Sequence, residues 1–472
     1  MIMIKRLHYL PYYIAALLGC CACSDFLNEE SADEVIVKTV SDYSELLLGS
    51  GYPSPTGKLY NILYLLDDDY MLNERAMYND EDYQSAISAF PFYTWQPDMW
   101  ENQNVNKSYY DDSYSMTYER IVGVNAVLDG IDEAIGEEEE REQVKAEALA
   151  LRGYYYFMLV NLYAKPYNVD KEGLGVPLKL TADIETTGQP RNSVAEVYRQ
   201  ITEDMESASA LFEKYAKRRG SFRINLPSVN ILLCRAYLQM EEWDKVIACA
   251  TKAIESGNPL TNYTNLPARN GTFSNYDYSE VEWLYGNGFT SCSLPGLKAS
   301  DELLALYAQN GDDTRPALWF YNGNVYKKRL GSKRTPTNAI RMSEAYLSRA
   351  EAYAKKNDVQ KAAADLNHLR MNRYRNYTGE SFADAALLMD EIRKERRLEL
   401  CYDDVRWFDL RRYGMPSITH LYKVRQNAAW QRFTLKEKDP LYTLPIPNEV
   451  INENVALKQN ESANQPARQG SL

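Results

Sequence analysis

Residues 392 to 414, IRKERRLELCYDDVRWFDLRRYG, alternate charged and large apolar side chains more densely than a solvated helix requires. Residues three and four apart share a helix face, so Glu391, Glu395 and Glu399 form an acidic row with Arg393, Arg396 and Arg397 beside it. Leu398, Leu400, Trp407, Phe408 and Leu410 supply apolar surface that takes these charges out of water. Arginine can satisfy a carboxylate with two parallel hydrogen bonds, so the pattern predicts ion pairs held against another element. These residues read as scaffold, and a ligand site has to be sought elsewhere.

The run Glu395-Arg396-Arg397-Leu398-Glu399-Leu400, followed by Arg406-Trp407-Phe408-Asp409-Leu410-Arg411-Arg412-Tyr413-Gly414, resembles the closing signature of the SusD/RagB family. Those proteins are surface lipoproteins of Bacteroidota-type bacteria that capture nutrients, often glycans, for a TonB-dependent outer-membrane transporter. The family usually carries glycine where this chain has Asp404. Three further stretches resemble it in order: Glu147 to Phe157, Arg341 to Ala352, and the tail Leu444-Pro445-Ile446-Pro447 with Asn454, Leu457, Lys458, Gln459 and Asn460. The resemblance covers nearly the whole chain. It implies a mainly α fold, a tetratricopeptide-like (TPR-like) helical-repeat scaffold with long irregular loop insertions.

The residues carry a weak repeat of the same kind, a small residue three before a tyrosine and a second small or branched set about nine residues on. Gly153 and Tyr156 fit its first half. Cys234, Tyr237, Trp243, Val246, Ala250 and Ala253 fit all of it, as do Ala350, Tyr353, Val359, Ala362, Leu366 and Leu369. Small residues let paired helices approach while the tyrosine fills the gap between turns. Helical period also marks Ser41 to Leu48, with Ser41 as N-cap, and Leu59 to Leu72. From Tyr118 the chain turns strongly helical, with Ile121, Val124, Asn125 and Leu128 on one face. Ala146 to Tyr163 is apolar on nearly every side and predicts a buried helix. The expected organisation is a lipoprotein signal peptide over 1–22, an N-terminal helical region over 23–255, a loop-rich insertion over 256–338 and a C-terminal region over 339–472. The insertion lacks helical period but holds Trp283, Tyr285, Phe289, Trp319, Phe320 and Tyr321, too many rings for simple disorder.

Lys5 and Arg6 precede an apolar run from Leu10 to Leu18 that is too short to span a bilayer and ends in Gly19-Cys20-Cys21-Ala22-Cys23. A cysteine after small residues is the pattern of an acylated bacterial lipoprotein. Two registers compete. Leu17-Leu18-Gly19-Cys20 is the better processing site by residue type, whereas Cys23-Ser24-Asp25-Phe26-Leu27 is similar to the start of mature SusD-like proteins and is preferred. The acidic residues after it resemble an export signal for the cell surface, so the expected location is the outer membrane, lipid-anchored and facing the exterior.

With 472 residues, 45% of them hydrophobic, the chain can bury a large core. A net charge of −13 argues against nucleic acid as a partner, since phosphate binding needs a basic field. Only His8, His368 and His420 are present, and no HExxH, GxSxG, Walker or GxGxxG motif occurs, so neither enzyme activity nor a cofactor is expected. A secreted glycosidase stays as an alternative because acid pairs are plentiful. Asp67-Asp68-Asp69 could hold a hard cation such as calcium or form a capping turn. Beyond the signal, Cys234, Cys249, Cys292 and Cys401 remain, and no essential disulfide is expected, because Cys234 and Cys401 sit in apolar helical patterns.

Sugars present C–H groups on one face and hydroxyls at their edges, so a glycan site needs exposed rings with amide or charged groups around them. Phe90 to Asn104 and the 256–338 insertion supply both. The family resemblance implies ligand platforms in these two regions, which makes Trp95, Trp100, Asn102, Trp283, Tyr285 and Trp319 the candidates. The implied function is non-enzymatic capture of oligosaccharide and delivery to a SusC-like TonB-dependent transporter. Peptide or other nutrient cargo on the same fold is the alternative, and an intracellular TPR adaptor conflicts with the exported N-terminus.

Overall fold

Helix-forming segments with strong caps account for most of the architecture. The structure is a computed structural model describing residues 37–54, 59–60, 62–73, 80–102, 112–184, 187–215, 220–266, 278–286, 297–321, 325–326, 338–425 and 427–472. The expected signal peptide, Cys20, Cys23 and Cys292 lie outside these residues. The longer helices are α1 (Val40–Leu46), α2 (Asp80–Tyr93), α3 (Ser113–Gly130), α4 (Glu138–Tyr163), α5 (Val194–Lys214), α6 (Leu226–Met240) and α7 (Trp243–Ser256). They continue with α8 (Asp301–Ala308), α9 (Met342–Lys355), α10 (Val359–Met371), α11 (Ala385–Leu400) and α12 (Arg406–Arg412). Ser193 with Glu196 and Asn225 with Ser228 form reciprocal capping boxes that start α5 and α6. Asp384 caps α11.

Successive helices pack on one another: α3 on α4, α4 on α5, α5 on α6, α6 on α7, then α7 on α9 and α9 on both α10 and α11. Helix α4 is the spine, buried without a break from Arg152 to Tyr163. Gly153 lets α5 come close, since a Cβ there would stand 2.8 Å from Met205 Cγ and 3.2 Å from Ile201 O. The repeat positions Cys234, Val246, Ala250, Ala253, Ala350, Ala362, Leu366 and Leu369 are all buried. Among the described residues four two-stranded antiparallel ribbons lie on this scaffold. They pair β1 (Tyr70–Leu72) with β3 (Leu297–Ala299), β2 (Val281–Tyr285) with β6 (Asn338–Arg341), β4 (Phe320–Tyr321) with β5 (Val325–Tyr326), and β7 (Ile418–Tyr422) with β8 (Gln431–Leu435).

The acidic row of α11 is the buried electrostatic centre. Glu399 accepts from Arg315 at 2.9 Å, Arg341 at 2.7 Å and Arg373 at 2.9 Å. Glu395 accepts from Arg370 and the Tyr374 hydroxyl, both at 2.7 Å. Burial alone would raise both carboxyl pKa values. Arg373 and Arg341 instead hold Glu399 well below the usual range, and Arg315 and Arg370 lower Glu395. Arg396 pairs with Asp409 at 2.8 Å, and Arg397 with Asp69 at 2.9 Å. The residues expected to act as scaffold are therefore ion-paired inside the protein.

Several expected elements differ. Helix α1 begins at Val40 with Thr39 as its cap, because Thr39 and Asp42 satisfy each other's backbone N–H groups and Ser41 does not. The helix expected over Leu59 to Leu72 is reduced to Leu63–Leu66, followed by a bend and β1. Carbonyls that a continuing helix would use face tertiary partners instead: Trp95 Nε1 donates to Leu66 O at 3.0 Å, and His420 Nε2 lies 2.9 Å from Asp67 O. The insertion contains α8, capped by Ser300, and the helix Arg315–Trp319. Among the described residues Cys234, Cys249 and Cys401 are in no disulfide.

Candidate functional site

Tyr114, Tyr118 and Val122 stand four residues apart on α3, along one edge of the face that also carries Ile121, Val124, Asn125 and Leu128. This edge floors a groove of about 580 Å3, walled on one side by Pro177, Lys179, Asp183 and Ile184 and on the other by Val450, Glu453, Asn454 and Leu457. That volume falls within the usual range for a small-ligand site. The walls are tied down. Tyr118 donates its hydroxyl to Pro177 O at 2.9 Å, Asn125 Nδ2 donates to Lys179 O and Thr181 O, and Ala182 N donates to Asp129 at 2.8 Å. Opposite, Asn454 Nδ2 donates to Gln189 O at 2.9 Å. Tyr114 is buried beneath the floor, which pushes its phenol up to about 12, while Tyr118 is partly exposed. The groove thus offers one ring surface amid amide, ammonium and carboxylate groups.

The six residues expected to form a ligand platform are placed otherwise. Trp95 is fully buried, stacked on His420 with ring centroids 4.2 Å apart. Trp100 is buried and donates Nε1 to Pro445 O at 2.7 Å. Trp283 and Tyr285 are buried and stacked on each other at 4.4 Å, and the Tyr285 hydroxyl reaches Asp404 at 3.3 Å. Trp319 is buried against Tyr263. A ring enclosed on both faces has none to offer a sugar, so the platform expectation is corrected for these five. Asn102 alone is exposed, at the end of the Met99–Asn102 helix. The rings do form a relay toward the groove, since Trp100 packs on Tyr163, Tyr163 on Tyr114, and Tyr114 on Tyr118.

Asp404 occupies a left-handed conformation at φ 62°, where glycine is favoured. Its carboxylate takes hydrogen bonds from Asn338 at 2.7 Å, from Tyr285 and from Tyr64. The Asp67-Asp68-Asp69 turn is not a cation cage. Arg406 meets Asp68 with two bonds of 2.7 and 2.8 Å, and Arg397 meets both Asp68 and Asp69. Among the described residues no group of three or more histidine, cysteine or acidic side chains is placed to hold a metal. No described helix is long and apolar enough to cross a membrane.

A family model described as starch-binding, associating with outer membrane, matches residues 27–238, and a second, described as the SusD family, matches residues 307–462. The chain belongs to the SusD/RagB family. Members are non-catalytic binding proteins, and the family places the chain among glycan binders associated with the outer membrane. Solved SusD structures share its fold. A SusD superfamily protein of Bacteroides thetaiotaomicron is 24% identical with a TM-score of 0.71, covering 89% of this chain and 99% of its own. A SusD-like carbohydrate-binding protein of Bacteroides vulgatus is 21% identical with a TM-score of 0.67, covering 89% and 97%. A SusD superfamily protein of Bacteroides fragilis is 21% identical with a TM-score of 0.70, covering 90% and 100%. No curated protein sequence matches.

Proposed function

We propose that this SusD/RagB protein holds an oligosaccharide in the α3 groove and delivers it to a SusC-like TonB-dependent transporter. The observation that carries the reading is the groove itself, a preformed trough with the Tyr118 ring on its floor and Lys179, Gln189 and Asn454 around it. Two clefts of similar size, one of about 650 Å3 lined by Lys165 and Ser462 and one of about 540 Å3 lined by Arg432 and Arg468, have no aromatic ring. In this reading the helix pairs α6–α7 and α9–α10 stack as TPR-like repeats and give the transporter a broad face. An acylated Cys23, or Cys20 in the alternative register, tethers the protein to the outer face of the membrane. Each methylene of such a chain adds roughly 0.8 kcal/mol on burial in lipid.

Calorimetry against a panel of neutral oligosaccharides tests the site. Tyr118→Ala removes the ring, for which aromatic contacts elsewhere suggest about 0.5–1.5 kcal/mol beyond area burial, and should weaken binding several-fold or more. Tyr118→Phe keeps the ring and should retain most affinity. Equal binding by wild type and Tyr118→Ala would refute the groove assignment, and binding of peptides in preference to glycans would refute the cargo.

A further inference from the structure

A second cleft, of about 650 Å3, lies between the turn that follows α4 and the tail of the chain. Lys165, Val169, Leu174, Lys438, Asn460 and Ser462 are among its lining residues. Ser462 is only 1% exposed, and its hydroxyl has no hydrogen-bond partner among the described residues. Buried hydroxyls are normally matched, so an unmatched one lining a cavity marks a place for a polar ligand group.

Two buried cations stand behind the cleft's lining residues without lining it themselves. Arg191 donates to Leu174 O at 3.0 Å, Tyr163 O at 2.8 Å and Asn460 Oδ1 at 2.8 Å. Arg411 donates to Asn161 O and Ala164 O. Both thus cap the carbonyl end of α4, whose partial negative charge favours them without neutralising them. Among the described residues neither guanidinium has a carboxylate partner, in contrast to the arginines around Glu399. Burial lowers both, Arg411 to about 10. At the rim, Lys165 lies 4.0 Å from Asp170, Lys438 lies 3.6 Å from Glu437 and Asp439 is paired with Arg468 at 3.0 Å, so these charges cancel and Glu461 offsets one of the two guanidiniums. The excess charge at this spot is therefore positive, in a chain whose net charge is −13.

We propose that this cleft is a binding site for an acidic sugar, a uronate, separate from the α3 groove. The carboxylate meets Lys165 and Lys438 in front of the two buried guanidiniums, a ring hydroxyl pairs with Ser462, and the C–H face rests on Val169 and Leu174. Long-range attraction from buried charges persists where exposed pairs are screened, so binding weakens with salt by less than a purely surface lysine site would.

The experiment is calorimetry on the full chain with D-glucuronate and, in parallel, D-glucose. Glucuronate is expected to bind and glucose not. The double variant Lys165→Glu with Lys438→Glu, both at exposed positions, should lose at least tenfold in affinity, and Ser462→Ala about threefold or more. Tyr118→Ala should bind glucuronate as wild type does, which separates this site from the groove. Absence of glucuronate binding, equal binding of glucose, or unchanged affinity in the lysine double variant or in Ser462→Ala overturns the proposal.

Discussion

Glu399→Gln is the perturbation that probes the buried charge centre most sharply. The glutamine keeps the shape and one acceptor but turns an N–H2 toward guanidinium donors that now have a carboxylate oxygen. Removing one member of a buried pair costs roughly 3–5 kcal/mol. Here Arg315 keeps Asp313 and Glu395, Arg341 keeps Glu280 and Asp403, and Arg373 keeps Glu280, so the lower end applies, about 3 kcal/mol. With an unfolding entropy of roughly 2.1 cal/mol/K per residue, that is a fall in Tm of only about 3 °C for a chain of this size, so urea unfolding at 25 °C is the better assay. The pH profile adds a second reading. Glu399 is held below its ordinary value of 4.5, so it stabilises the fold above that pH and the contribution is lost as pH falls below it. Stability of the wild type should therefore drop below pH about 4.5 more steeply than that of the variant. A Glu399→Gln protein within about 1 kcal/mol of wild type at pH 7, or an unchanged acid limb, would refute the reasoning.

Three further outcomes are expected. Asp404→Gly relieves a left-handed backbone by roughly 1–2 kcal/mol but strips an acceptor from Asn338, Tyr285 and Tyr64, so urea unfolding should show a net loss of about 2 kcal/mol, and a gain would contradict the assignment. His420 is enclosed between Tyr93 and Trp95, and burial lowers its pKa from 6.5 to about 4. Folding then excludes a proton that the unfolded chain takes up, so stability should fall by roughly 3 kcal/mol between pH 6.5 and 4, and His420→Gln should flatten that limb of the stability–pH curve. Gly153→Val should cost about 3 kcal/mol by driving α4 from α5 against Met205 and Ile201, measurable by the same unfolding assay.

Alternation of charge and apolar bulk in α11 was enough to place its carboxylates in ion pairs, because burying them unpaired is too costly to persist. The apolar period likewise made α3, α4, α6, α7 and α9 through α11 legible, whereas α5 was not singled out. Leu59 to Leu72 was not legible. Its helical period is genuine, but Trp95 and His420, far away in sequence, claim the carbonyls at its end. The ligand rings failed on a different point: composition shows that a loop is rich in tryptophan but not which way the rings face. Val281, Leu284 and Tyr285 beside Trp283 were the available sign that the strand is buried, and the charged Glu282 between them obscured it. Tyr114, Tyr118 and Val122 carried a usable signal too, a row at four-residue spacing that widens the apolar face of α3 past Ile121 and Leu128.

The most direct measurement is a crystal structure of the protein soaked with a neutral oligosaccharide that it binds in solution. The account predicts saccharide density along the Tyr118 ring, between Lys179 and Asn454. Density elsewhere, with the α3 groove empty, would contradict it.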